Sequence, residues 1–390
     1  MHIDEIQNAL REEKLDGWLF FDHHQRDPLA YRILGLALSR TATRRWYYLI
    51  PAQGEPKGLV HAIESGVLSG LPGRVQTYSS WSAQVEGLRG LLAGCRRIAM
   101  QYSPKCAIPY VSLVDAGTLE LVRDAGVEVL TSANLIQLFE SRWTAQQFEM
   151  HLEAGRRVDR IRAAAFQNIG ATLNAGKTIT EWDVNRFIRA AFEKSGLVTD
   201  HGPIVGVNAN MSDPHYEPAA ETSRPIRKGD AVLIDMWAKL DHPDAVFYDI
   251  TWTGYCGPHP PTPIENVFEV VRDARDRAIG RVKDAVARNQ VIRGFEVDDA
   301  ARGYIREKGL DRYFVHRTGH SIGEEVHGTG ANMDNLETHD ERRIIAGTCF
   351  SIEPGVYLPE FGIRSEVNMH VGEHEARVTG EMQDRLVTIL

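Results

Sequence analysis

The 390-residue sequence has four cysteines, Cys95, Cys106, Cys256 and Cys349, scattered along the chain with no C-x-x-C pair. That argues against a disulfide framework and against a thiolate metal site, and it fits the reducing conditions of a cytoplasmic protein. No apolar run approaches the ~20 residues needed to span a bilayer. The opening stretch, MHIDEIQNALREEKLDG, lacks the basic start and apolar run of a signal peptide and reads instead as a charged amphipathic helix. Basic residues are not in excess: the net charge is −9, which argues against general binding to nucleic acid or to an anionic membrane. Repeats, low-complexity segments and long linkers are also missing. What remains is ordinary globular composition, 43% hydrophobic and 25% charged, enough for a sizeable core. At roughly 150 residues per domain the length predicts two or three domains.

The first third alternates short apolar runs with helical spacing. Residues 16–22, 44–51 and 96–102 read as strands, and residues 110–126 read as a helix ending at Gly126. This is a small α/β domain. A composition shift follows near residue 141, so the expected domains are 1–141 and 142–390. The second part has long helical patterns at 144–176, with Thr144 placed as an N-cap, and at 180–196, 264–288 and 296–309. Strand-like segments fall at 230–240, 246–254, 347–357, 361–371 and 385–390.

Four of these strands carry an acid in a mixed row of side chains. In AVLIDMWAKL the period of two puts Val232, Ile234, Met236, Ala238 and Leu240 on one face, and Leu233, Asp235 and Trp237 on the other. FYDITWT sets Phe247, Asp249, Thr251 and Thr253 together. CFSIEPGVY sets Ser351 with Glu353. GIRSEVNMHV sets Arg364, Glu366, Asn368 and His370 on one face. One such strand would pass for a solvated sheet face. Four of them, poor in lysine and rich in large apolar neighbours, point to carboxylates that converge. Converging carboxylates repel unless cations compensate them, and histidine plus carboxylate without thiolate suits manganese, cobalt or zinc. Five donors exceed a single four-coordinate zinc and fit two metals ~3.5–4 Å apart.

The order Asp235 in LIDMW, Asp249 in YDIT, His320 in TGHSIG, Glu353 in SIEPG and Glu366 in GIRSE resembles the pita-bread dinuclear metallopeptidases, in particular the prolidase and aminopeptidase P branch. The resemblance covers nearly the whole chain. It implies a creatinase-type α/β N-terminal domain followed by an α+β pita-bread catalytic domain. A competing motif is GHSIG itself, which fits the G-x-S-x-G nucleophile elbow of serine hydrolases. An elbow needs a helix after the serine, and EEVHGTGANMDN has two early glycines; only 69 residues remain for the rest of such a fold. His320 is therefore expected to carry the function and Ser321 to pack beside it.

By resemblance, Asp235 chelates the first of two divalent metals, manganese being the expected ion. His320 and Glu353 bind the second, and Asp249 and Glu366 bridge both. Glu353 would also act as general base toward a water shared by the metals. His327 and His215 would contact the substrate and stabilise the oxyanion, with Arg364 and His316 as further active-site residues. The activity implied is hydrolysis before proline in dipeptides or short peptides, by a homodimer. Trp237, Tyr357 and Phe361 are candidates for the apolar wall of a proline pocket, and Arg342 or Arg343 for a contact to the proline carboxylate. The sequence departs from the family in the 14-residue spacing from Asp235 to Asp249, in Trp252 where prolidases have arginine, and in Val367-Asn368 after Glu366; the last two bear on fine specificity. Alternatives are an Xaa-Pro aminopeptidase acting on longer peptides, a metal-dependent lyase or non-peptide hydrolase on the same scaffold, and a non-catalytic binding protein. The complete ligand set argues against the last.

Overall fold

A computed structural model describes residues 3–390. Met1 and His2, at the start of the expected first helix, lie outside the described residues. The chain forms two compact units, Met1–Glu140 and Ser141–Leu390.

In chain order the first unit contains α1 (Ile3–Glu12), β1 (Gly17–Asp22), α2 (Pro28–Leu34), β2 (Trp46–Pro51), β3 (Lys57–His61), β4 (Arg74–Tyr78), α3 (Trp81–Leu92), β5 (Arg97–Met100), α4 (Ala116–Asp124), β6 (Glu128–Thr131) and α5 (Ala133–Ile136). The six strands form one sheet in the order β4-β3-β2-β1-β5-β6. β2 runs antiparallel to both neighbours, and the other pairings are parallel. β1 is buried on both faces because its side chains alternate between two cores: Trp18 and Phe20 enter one, Leu19 and Phe21 the other. The helix expected over 110–126 begins only at Ala116, where Asp115 caps it by accepting from the Thr118 amide at 2.9 Å. The stretch from β3 to α3 escaped the sequence reading, because β4 is almost wholly exposed and lacks an apolar stripe.

The second unit opens with α6 (Ala145–Asn174), β7 (Ile179–Thr180), α7 (Glu181–Lys194), β8 (Leu197–Val198), β9 (Ile204–Val207) and β10 (Pro225–Ile226). β11 (Ala231–Leu240), β12 (Tyr248–Tyr255), α8 (Thr262–Ala287), α9 (Gly294–Glu307) and β13 (Ser321–Ile322) follow. The chain ends with β14 (Cys349–Ile352), β15 (Gly355–Tyr357), β16 (Gly362–Arg364), β17 (Val367–Val371), β18 (Ala376–Thr379) and β19 (Val387–Thr388). Thr144 and Gln147 close a capping box at the start of α6, and Thr180 and Asp183 do so for α7. β11 and β12 pair antiparallel, with Asp235 opposite Thr251 and Trp237 opposite Asp249. One face of β11 sends Val232, Ile234, Met236 and Ala238 into the core beneath α6 and α7. The other sends Leu233 into the core shared with α8 and α9.

Two expected strands are each broken in the structure. Residues 347–357 form β14 and β15 with Glu353 in the gap between them, and 361–371 form β16 and β17 with Glu366 in the gap. β14 pairs with β17, and β15 pairs with β16, in separate sheets. The two glutamates thus sit where the paired strands change partners. Among the described residues, no helix is long and apolar enough to cross a membrane.

His151 of α6 ties the layers of this unit together. It is fully buried; its Nδ1–H donates to the Phe247 carbonyl, and its Nε2 accepts from Thr379 Oγ1, both at 2.7 Å. The neutral ring satisfies both partners, and burial pushes its pKa down to about 4. Because the folded pKa lies below the ordinary 6.5, the stabilisation is present above pH 6.5 and is lost as pH falls toward 4. A His151→Gln variant should have its stability loss between pH 6.5 and 4 reduced by on the order of 3 kcal/mol, measured by urea unfolding across that range. An unchanged pH slope would contradict this.

Candidate metal centre

Four acids and one histidine of the second unit come together where β11 and β12 face the gaps after β14 and β16. Asp249, His320 and Glu366 bring donor atoms within 4.8 Å of one another, and all three side chains are buried. His320 Nε2 lies 3.5 Å from Asp249 Oδ2 and 3.4 Å from Glu353 Oε1. Its Nδ1–H donates to the Ser321 carbonyl at 3.2 Å, which leaves the Nε2 lone pair facing the carboxylates. Asp235 is also buried, and its Oδ2 accepts from Arg364 Nη2.

Each side chain is held by neighbours that fix its direction. The Ser351 hydroxyl accepts from the His320 amide at 2.9 Å and donates to Glu353 Oε1 at 3.0 Å. Thr251 Oγ1 donates to Glu366 Oε2 at 2.7 Å and accepts from Arg364 Nε at 3.0 Å. The Asn368 side chain clamps the backbone of Asp249, accepting from its amide at 3.1 Å and donating to its carbonyl at 2.8 Å. In the sequence Thr251 and Asn368 stood only as companions of the acids in their rows; the alternation that grouped them is the signal that could have assigned them these roles.

Burial raises the pKa of all four carboxyls. For Glu366 the charges of Asp249, Glu353 and Asp235 raise it further. Burial also lowers His320, which favours the neutral imidazole. Two carboxylate oxygens, Asp249 Oδ1 and Glu366 Oε1, are buried with no hydrogen-bond partner among the described residues. Orphaned anionic oxygens beside a neutral imidazole nitrogen fit divalent cations, and this donor set contains no thiolate.

The remaining expected residues form a rim of varied character. His316 Nε2 accepts from the Tyr357 hydroxyl at 2.7 Å, and that hydroxyl accepts from Arg364 Nη1 at 3.3 Å. Burial, helped by the charge of Arg364, pushes His316 down to about 3. The His327 ring stands edge-on to His320 with centroids 4.4 Å apart. His320 first, then burial, pushes its pKa down to about 3, and His215 is near enough to contribute. His215 itself is exposed, on a turn where Asp213 accepts its amide at 3.0 Å. Of the residues suggested for the proline pocket, Tyr357 and Phe361 are buried, and Trp237 donates from Nε1 to Asp200 at 2.8 Å.

The structure bears on three further sequence expectations and agrees with the one for Ser321. Arg342 is neither solvated nor turned to a ligand: it is buried, forks onto Asp340 at 2.9 and 2.6 Å, and donates to the Thr329 carbonyl at 2.7 Å. Arg343 is exposed. Trp252 alternates with Asp249 and Thr251 along β12 and so points away from the acids, with the Arg162 guanidinium of α6 3.5 Å from its ring. The replacement of arginine there therefore does not alter the centre by direct contact. Ser321 lies in the two-residue strand β13, with its Oγ accepting from the Gly330 amide at 3.0 Å. No helix follows it, so the geometry of a nucleophile elbow is missing.

The histidine loop is pinned from α9. Asp298 accepts a two-point contact from Arg302 at 2.7 and 3.0 Å, and accepts from the Thr318 amide and hydroxyl at 2.9 and 2.7 Å. Arg302 also donates to the Phe314 and His316 carbonyls, at 3.0 and 2.7 Å. The Thr318 carbonyl in turn accepts from the Glu353 amide at 2.7 Å. One buried ion pair therefore sets the loop that carries His316 and His320.

The profile of metallopeptidase family M24 matches residues 149–373, and the chain belongs to that family. Among curated relatives, it is 31% identical over 175 residues to the Xaa-Pro dipeptidase of Lactobacillus delbrueckii subsp. lactis, covering 45% of this chain and 43% of that protein. It is 30% identical over 238 residues to the probable dipeptidase PepE of Mycobacterium tuberculosis, covering 61% and 58%. The alignments thus span about half the length of these relatives. The solved structure of dipeptidase PepE from Mycobacterium ulcerans superposes over 100% of this chain and 97% of that one, with TM-score 0.69 and 23% identity. An X-prolyl aminopeptidase from Caenorhabditis elegans, described as a cytosolic enzyme with a di-nuclear active site, matches 94% of this chain and 58% of its own, with TM-score 0.64 and 16% identity. These likenesses show the fold: an α/β N-terminal domain followed by the pita-bread domain of the family.

Replacing Asp298 with alanine should destabilise the protein by about 3–5 kcal/mol, because it leaves Arg302 buried without its partner. Chemical unfolding of the variant checks this, and a loss below 1 kcal/mol would show that the pair does not hold the loop.

Proposed function

We propose that this chain is a metal-dependent peptidase that cleaves the bond before proline in Xaa-Pro dipeptides. The observation that carries the reading is that Asp249 and Glu366, each with a buried carboxylate oxygen lacking a partner among the described residues, bring donor atoms within 4.8 Å of each other and of His320. Asp235, Asp249, His320, Glu353 and Glu366 would hold two divalent cations, with manganese the expected ion. The chemistry such cations supply is polarisation of the scissile carbonyl and acidification of a coordinated water.

The rest falls to the chain's own groups. Glu353, its pKa raised by burial, is suited to take a proton from the attacking water and return it to the proline nitrogen. Ser351 steadies the carboxylate by its hydrogen bond to Oε1. His327 and His215 would donate to the oxygen that becomes negative as the carbonyl is attacked, a role supported for His327 by its ring lying 4.4 Å from that of His320. Arg364 neutralises part of the acid cluster and joins it through Tyr357 to His316. The proline amide carries no N–H, so substrate selection must come from shape, and Tyr357, Phe361 and Trp237 are the apolar surfaces offered. The names of the relatives favour dipeptides as substrates.

His320→Ala should lower kcat/KM by more than the ~100-fold that loss of a mere supporting partner causes at metal sites. Ser321→Ala should keep substantial activity. Covalent labelling of Ser321 by a fluorophosphonate, with matching loss of activity, would overturn the assignment. On a panel with added manganese, Xaa-Pro dipeptides should turn over faster than Xaa-Pro-Yaa tripeptides, and chelation should abolish both activities. Faster tripeptide cleavage would instead make the chain an aminopeptidase, and turnover of the metal-stripped protein would remove the metal from the account.

A further inference from the structure

The first unit holds a cavity of about 610 Å³ whose residues take no part in the centre described above. It opens where β1, β3 and β4 end, at Asp22, His61 and Tyr78, and where β2 begins, just after Arg44 and Arg45. Ligands of open α/β sheets gather at the carboxyl ends of strands, because the loops there are free to vary and helices begin there. Two helices do begin at this cavity. Ser80 and Trp81 start α3, and Asp115 and Gly117 start α4, and all four line it. Ser80 and Asp115 already cap one amide of each helix, through Ala83 and Thr118, and what the two helix starts add is a partial positive charge.

The charged lining supplies a second, independent sign of what belongs there. Arg26, before α2, and the consecutive Arg44 and Arg45, after it, line one space in a protein whose net charge is −9. None of the three forms an ion pair among the described residues. The nearby acids are already committed. Asp22 accepts from the amides of Gln25, Arg26 and Asp27 and from the Tyr31 hydroxyl. Glu64 accepts from the amides of Thr43 and Arg44. Asp115 accepts from the amide and hydroxyl of Thr118. Arg45 is positioned by its carbonyl, which accepts from the Tyr78 hydroxyl at 2.8 Å. Asp115 and Glu64 offset part of this charge, each held low in pKa against burial by its hydrogen bonds and by a nearby arginine, but both carboxylates are engaged by amides and hydroxyls, and three guanidinium groups lining one cavity leave a positive excess that suits an anion. At the lip stands Trp81, 78% exposed, with no aromatic partner to explain a large ring held in water. An exposed indole beside arginines suits a flat group carried by the same ligand.

We propose that this cavity binds a small oxyanion-bearing ligand, with its phosphate or carboxylate held by Arg26, Arg44 and Arg45 and its flat portion laid against Trp81. The volume lies within the range of small-molecule sites. Arginine forks match both oxyanions, so the ligand's source is a matter for the test.

The test titrates the full-length, metal-loaded protein with inorganic phosphate, succinate and adenosine monophosphate by calorimetry. At least one of the three should bind with saturation at about one per chain, and adenosine monophosphate should outbind inorganic phosphate if the indole contributes. An Arg44→Gln/Arg45→Gln variant should weaken that binding by about ten-fold or more, the loss expected for a charged hydrogen bond. Trp81→Ala should weaken adenosine monophosphate and spare inorganic phosphate. His320→Ala, which disables the metal centre, should leave all three affinities unchanged. Binding lost in His320→Ala would place the anion on the metals and overturn the proposal. So would affinities indifferent to the arginines, or no binding by ~10 mM in a protein whose arginine variant changes oligomeric state, since the cavity would then be an interface between copies.

Discussion

Four carboxyl groups and one imidazole share a buried space in the second unit, and much of the surrounding structure answers to the charge they carry. An ionised carboxylate taken from water costs several kcal/mol even after relaxation. Arg364 is the buried guanidinium set among them, bonded to Asp235, and it cannot balance four negative charges. Burial pushes every carboxyl up, neighbouring acids push Glu366 up further, and Asp249 and Glu366 keep oxygens without partners among the described residues. Two divalent ions would restore the charge balance, and the neutral Nε2 of His320 completes an oxygen-and-nitrogen donor set suited to them.

The frame around the site makes sense as a device for holding repelling groups still. Asp235 and Asp249 project from a hairpin whose other face is anchored by Val232, Ile234 and Met236 beneath α6 and α7. Glu353 and Glu366 occupy the gaps where strands change partners, so each can face inward without interrupting a ladder. Thr251, Ser351 and Asn368 spend short, stiff side chains on aiming the acids. Asp298 and Arg302 do the same for the histidine loop from behind. Polar networks this enclosed are stable when every member is satisfied, and within the acid cluster the atoms left without partners among the described residues are Asp249 Oδ1 and Glu366 Oε1.

Much of this was legible in the sequence. The period of two along 231–240 separated a wholly apolar face from the face of Asp235, and the structure keeps that separation. The long helices announced themselves by spacing, and the first of them by Thr144 as its cap. The breaks at Glu353 and Glu366 were not legible, because the apolar alternation continues on both sides while the pairing partner changes. Nor was the fate of Arg342, since its partner Asp340 gives no periodic signal and the pair forms only once the loop is buried. The cavity of the first unit was invisible for a related reason: Arg26 and the pair Arg44-Arg45 stand on opposite sides of α2, and the other lining residues come from strands and helices that only the sheet order brings together.

The central claim is that the buried acids are arranged around cations. Crystals of the protein grown with manganese, with diffraction recorded across the manganese absorption edge, test it directly. The account predicts two anomalous peaks about 3.5–4 Å apart, between Asp235, Asp249, His320, Glu353 and Glu366. Manganese-saturated crystals with no anomalous density among these five side chains would contradict it.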